Sequence, residues 1–225
     1  MKPTLRPIAQ DVWCADRPFR IGPVPLGTRM TVLRLRGGLF LHSPVPADPE
    51  TRRAVDALGS VHHVVAPSKV HHLYAGEWQQ AYPDAQLHGA PGLSGKRPDL
   101  RFDDVLSDEP PQGWAGVVDQ VVVRGAPIMN EVVFCHRPSR TLLLTDLAMN
   151  FGEVDSFWLR LWALLTDMRG FGPNRIVRFA LRDRAAARAS LDRILALDFD
   201  RVIVTHGTVL EGGGKDALRR AYAWL

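Results

Sequence analysis

Residues 64–78 read VVAPSKVHHLYAGEW, and this stretch decides the fold. The run Val64, Val65 and Ala66 reads as a buried strand that stops at Pro67, because proline cannot donate to a central ladder. Lys69 and the adjacent His71 and His72 follow at once, where a parallel strand delivers functional side chains to the edge of its sheet. Two other apolar runs end the same way: Asp146 follows TLLLT, and His206 follows VIVT. Three strand ends offering histidine or aspartate form a pattern that metal chemistry uses and core packing does not require.

Outward from this stretch, the pattern alternates between strands and helices. Residues 30–35 and 39–42 read as strands split by Gly37-Gly38, a hairpin signal. Residues 46–58 read as a helix, with Asp48 or Pro49 at its start, Glu50 in its first turn and Gly59 as its stop. A strand over 61–66 completes a strand–helix–strand unit, which implies parallel pairing. Residues 73–83, 154–168, 184–197 and 215–225 read as further helices. Residues 86–88, 116–123, 131–136, 141–145 and 201–205 read as strands, the 131–136 and 141–145 pair joined by a turn at 137–140. Two sheets layered between helices accommodate this order.

The bulk numbers bound the answer. The chain has 225 residues, within the span of one α/β domain, with 46% hydrophobic and 23% charged residues. Its 28 Lys and Arg against 24 Asp and Glu are scattered, without basic runs interleaved with aromatics, so no nucleic-acid partner is expected. Cys14 and Cys135 fit no CxxC spacing and read as reduced, buried small hydrophobes. No apolar run reaches the ~18 residues of a membrane span, and residues 1–10 lack the apolar core of a signal peptide. The expectation is a cytoplasmic protein with no membrane partner.

The phrases LFLHSP, VVAPSKVHHLYAGEW, NEVVFCHRPSRTLLLTDLAMN and VTHG resemble the metallo-β-lactamase-like hydrolases, and within them the DUF4336 branch. The resemblance implies a single domain over 1–225, an α/β four-layer αββα sandwich of the metallo-hydrolase/oxidoreductase type. The superfamily's loop reads H-x-H-x-D-H. Aligning its last histidine with His72 puts Pro67 and Lys69 at the first two histidines and His71 at the aspartate. Pro127, in GAPIMNE, replaces a further histidine. Asp146 matches the bridging aspartate and His206 the terminal histidine. The resemblance thus implies one metal half-site erased at Pro67, Lys69 and Pro127, and the other retained. Random decay would damage both halves alike.

Three imidazoles and a carboxylate also suit zinc, and iron or manganese, on chemistry alone. The expectation is at most one divalent metal ion, held by some of His71, His72, Asp146 and His206, with none at all for a degenerate site. Lys69 is expected to place an ammonium where a cation once sat, paired with Asp146 or Glu131. Lys69, Asp146 and Glu131 are therefore the catalytic candidates, Glu131 as a general acid/base or as an ion-pair partner. His42 reads as a core histidine or one that supports a ligand, and His62 and His63 as packing or edge residues. Phe157, Trp158 and Trp162 read as core, with a homodimer interface or a substrate lid as the other use of that stripe. The functional expectation is a metal-dependent hydrolase of an unknown small-molecule substrate; the alternative is a non-catalytic ligand-binding or interaction module.

Overall fold

The computed structural model describes residues 4–152, 156–168 and 170–225. The chain opens with β1 (Arg6–Ala9) and β2 (Val12–Arg17), then the hairpin β3 (Arg20–Ile21) and β4 (Val24–Pro25). The expected hairpin follows as β5 (Thr28–Leu35) and β6 (Gly38–His42), paired antiparallel. α1 (Pro49–Asp56) is capped by Asp48, whose side chain accepts from the amides of Glu50 and Thr51. The chain then runs through β7 (Val61–Ala66), α2 (Ala75–Ala81), β8 (Gln86–Gly89), α3 (Leu93–Lys96) and β9 (Asp104–Val105). The first sheet has the order β1-β2-β5-β6-β7-β8-β9, and β6 to β9 are mutually parallel.

The second sheet comprises β10 (Val118–Val122), β11 (Val132–His136), β12 (Thr141–Leu144) and β15 (Arg201–Val204), in that order. Between β12 and β15 lie β13 (Met149–Asn150), α4 (Phe157–Leu165), β14 (Phe171–Gly172), α5 (Arg175–Ala180) and α6 (Arg184–Ala196), and α7 (Gly214–Ala221) closes the fold. The expected helix over 154–168 is the longer span, and its residues 154 and 155 fall outside the described residues.

Alternation along each strand builds the layers. Phe40, Val65, Leu143 and Ile203 point into one cluster between the sheets. Their neighbours Leu39, Leu41, Val64 and Ala66 face outward onto Val55 of α1 and Trp78 of α2. On the other side, Leu142, Leu144, Val202 and Val204 meet Val177 of α5, Leu191 of α6 and Leu218 of α7. Both faces of each central strand are covered, which is why these runs are continuously apolar. The result is the expected αββα sandwich. Cys14 and Cys135 are free and buried in it.

Parallel pairing sets the position of the site. Leu144 pairs with Val204, so Asp146 and His206, each two residues further on, leave the same edge side by side. β11 runs antiparallel to β12 with Phe134 opposite Leu143, and extending that register brings Glu131 opposite Asp146.

Candidate metal centre

Asp146 sits at the centre of the edge. His71 Nε2 lies 3.3 Å from its Oδ2, and His206 Nε2 lies 3.7 Å from its Oδ1. The two rings are 5.1 Å apart between centroids. One donor atom from each of His71, Asp146 and His206 falls within 4.8 Å of the others. Among the described residues no other such group of histidine, cysteine and carboxylate side chains occurs.

Each ring is held from behind. His206 Nδ1 is 2.7 Å from the Gly27 carbonyl, an acceptor only, so Nδ1 carries the proton and Nε2 presents its lone pair to Asp146. His71 Nδ1 lies 3.1 Å from Ser43 Oγ. Ser43 itself has φ 53°, in the left-handed region, and its amide donates to the Val65 carbonyl. His71 turns inward because Ser68 Oγ accepts from both the Val70 and His71 amides, making a tight turn after Pro67. Gly207 follows His206 with φ 96°; a Cβ there would stand 2.1 Å from the Asn150 carbonyl oxygen, so only glycine fits.

Electrostatics in the cluster follow from burial and proximity. Burial opposes charge on His71, but the Asp146 carboxylate and, more weakly, Glu131 outweigh it and raise its pKa. Burial likewise works against the Asp146 anion, yet His71 and His206 hold its pKa down. Burial and the neighbouring His71 lower His206 to about 4. Asp146 Oδ2 is buried and, despite its 3.3 Å approach to His71, has no hydrogen-bond donor in good geometry.

The structure separates the two adjacent histidines. His72 is not part of the group around Asp146; its Nδ1 is 3.1 Å from Arg97 Nη1. Burial, Lys96 and Arg97 lower its pKa to about 4. The structure thus brings His71, Asp146 and His206 together and leaves His72 outside that group, on the wall of the same cleft beside Arg97.

Lys69 also departs from expectation. Its ammonium donates to the Pro127 carbonyl at 3.1 Å and reaches neither Asp146 nor Glu131. The Glu131 carboxylate is already occupied, accepting from the amides of Thr145, Asp146 and Leu147 at 2.7, 3.0 and 2.8 Å. Glu131 is fully buried, and burial together with Asp146 raises its pKa to about 7. It does not line the cleft and cannot meet a substrate; it shapes the backbone turn that carries Asp146. The anticipated ion pair is absent because backbone amides serve that carboxylate instead.

The other histidines stay out of the cluster. His42 is buried with its ring 5.4 Å from Phe134, and burial takes its pKa to about 3. His63 and His88 meet at 3.2 Å under Trp114, between the sheets. Ser43 and the Gly27 carbonyl contact the candidate site through His71 and His206, and the sequence does not single them out. The only signal for Ser43 was its place immediately after His42 at a strand end.

The cluster opens into a cleft of about 550 Å3. His71, Asp146 and His206 line it, and its walls are mostly apolar, including Ile21, Ile128, Ile176 and Phe179, with Lys96 at the rim. Trp162 is part of this wall, whereas Phe157 and Trp158 are 68% and 47% exposed. The expectation that this aromatic stripe is core fails, because α4 buries Leu159 alone.

No curated protein matches the chain in sequence. Solved structures match it in shape along nearly its whole length. DIM-1 metallo-β-lactamase exposed to ceftazidime superposes with a TM-score of 0.67 at 14% identity, covering 98% of this chain and 96% of that one. The metallo-β-lactamase FIM-1 from Pseudomonas aeruginosa, in its mono-zinc form, gives 0.62 at 12% identity, covering 98% and 95%. The metal-soaked Flv1 flavodiiron core from Synechocystis sp. PCC6803 gives 0.64 at 14% identity, covering 98% of this chain and 60% of that one. Likeness at such identities shows the fold and not the chemistry. The chain has the metallo-β-lactamase fold, and its residues 9–94 match the family described as a domain of unknown function, DUF4336.

Proposed function

We propose that this chain holds one divalent metal ion on His71, Asp146 and His206 and is a metal-dependent hydrolase. The observation that carries the reading is the convergence of two imidazole nitrogens and a carboxylate on one point. His206 Nε2 presents a lone pair to the Asp146 carboxylate, and His71 Nε2 points at the same group. A divalent cation at that focus would serve all three, whereas a proton on His71 would leave the His206 lone pair facing a carboxylate. Two imidazole nitrogens and a carboxylate oxygen are the donor set of an open catalytic site, and they suit zinc first, then iron or manganese. When bound, such an ion supplies Lewis-acid polarisation of a carbonyl or phosphoryl oxygen. The chain's own contribution is orientation: Gly27 and Ser43 fix the rings, Glu131 fixes the Asp146 turn, and the apolar walls exclude water around a substrate.

The replaced positions Pro67, Lys69 and Pro127 limit the site to a single ion and favour, as a second reading, a ligand-binding module without turnover. Elemental analysis of protein loaded with zinc, iron or manganese and then desalted tests the first step. About one equivalent per chain is expected for wild type and for His72→Ala, and none for His71→Ala or His206→Ala. Two equivalents, or retention by the His206→Ala variant, would sink this assignment. Wild-type metal content with no hydrolysis across ester, thioester, lactam and phosphodiester probes would favour the non-catalytic reading.

A further inference from the structure

α4 has the sequence FWLRLWALL, in which every residue but Arg160 is apolar. A helix apolar on all sides is normally enclosed by protein or lipid. Here only Leu159 is buried, and Phe157, Trp158, Leu164 and Leu165 are 68%, 47%, 77% and 64% exposed. The exposure does not end with the helix. The Arg175 amide donates to the Thr166 carbonyl, which ties α5 directly to the end of α4, and α5 exposes Ile176 and Phe179. Those two residues, with Ile21 and Ile128, are also the mouth of the cleft. The face is therefore one apolar surface running from α4 into the cleft, of a kind that monomeric soluble proteins rarely leave open.

The charge on the two helices has one sign: they carry Arg160, Arg175 and Arg178 and no acidic residue, with Asp167, which meets Arg178 at 3.5 Å, and Asp183 in the flanking turns. Lys96 adds a further cation at the cleft rim. Two copies of the chain meeting through this face would bring their arginines together, which opposes a homodimer there. Apolar and aromatic side chains among arginines are what an anionic lipid surface attracts.

We propose that the α4–α5 face docks onto an anionic lipid surface, with the mouth of the cleft turned toward the lipid. Peripheral docking needs no spanning segment, and no helix among the described residues is long and apolar enough to span. The inference departs from the expectation of no membrane partner, which rested on the absence of a span. It does not depend on the metal or on hydrolysis.

Flotation of the metal-free full chain with vesicles tests it. Wild type is expected to float with vesicles of phosphatidylcholine and phosphatidylglycerol, to bind pure phosphatidylcholine much less, and to be released by high salt. Phe157→Ser combined with Leu164→Ser should weaken partitioning by on the order of tenfold or more, with an unchanged melting temperature because both side chains are exposed. Brominated lipids should quench tryptophan fluorescence in wild type, and Trp158→Phe should diminish that quenching. Wild type left unbound by the anionic vesicles overturns the proposal. So does equal binding to uncharged vesicles, or a solution dimer that Leu164→Ser dissolves, which would assign the face to a second copy.

Discussion

The loop after β7 takes part in two polar clusters, and they are built in opposite ways. At His71, with Asp146 and His206, ring nitrogens converge on a buried carboxylate and are braced from behind by Ser43 and Gly27. Pro67, Lys69 and Pro127 instead bind chain to chain. The Pro67 carbonyl accepts from the Val132 amide, the Lys69 amide donates to the Met129 carbonyl, and the Lys69 ammonium donates to the Pro127 carbonyl. One cluster aims its ring nitrogens and carboxylate at a common point. The other is a clasp between the loop and the 127–132 segment, with its polar groups satisfied internally.

The contrast can be broken most sharply at Glu131, whose three amide partners shape the turn carrying Asp146. Glu131→Ala leaves three buried amides without an acceptor and is expected to cost on the order of 3–5 kcal/mol. Denaturant unfolding of the metal-free protein measures it; a loss below about 1 kcal/mol, ordinary for a surface change, would mean the turn holds its shape without Glu131. Ser43→Ala removes only the brace behind His71. Calorimetric titration with zinc should show affinity reduced about 10–100-fold, and an unchanged value would remove Ser43 from the site. The smallest effect belongs to the clasp. Lys69→Met should cost about 1 kcal/mol or less and leave zinc affinity at the wild-type level. A collapse of stability or of metal uptake in that variant would show that Lys69 serves the cluster around Asp146 after all.

The fold was legible because its central strands are buried on both faces. The runs ending at Ala66, Leu144 and Val204 are apolar throughout, and each hands over to a polar residue at the same edge. β1 has no clear strand signal in the sequence, since mixed burial along Arg6–Ala9 blurs its period. α5 escaped notice because its six residues are shorter than a periodic window. Asp146 and His206 could be picked by position alone. Choosing between His71 and His72 could not be done so, because the choice rests on Ser68 Oγ turning the loop. Lys69 was given the wrong partner for a similar reason: charge pairing was assumed where backbone amides had already taken the carboxylate.

The bond from His206 to the Gly27 carbonyl links positions 179 apart in the sequence. In chain order Gly27, Ser43 and His71 come first, then Asp146, then His206. The three donor atoms cannot converge until β15 has docked beside β12. The proposed metal site would therefore be complete only once this contact, distant in sequence, has formed.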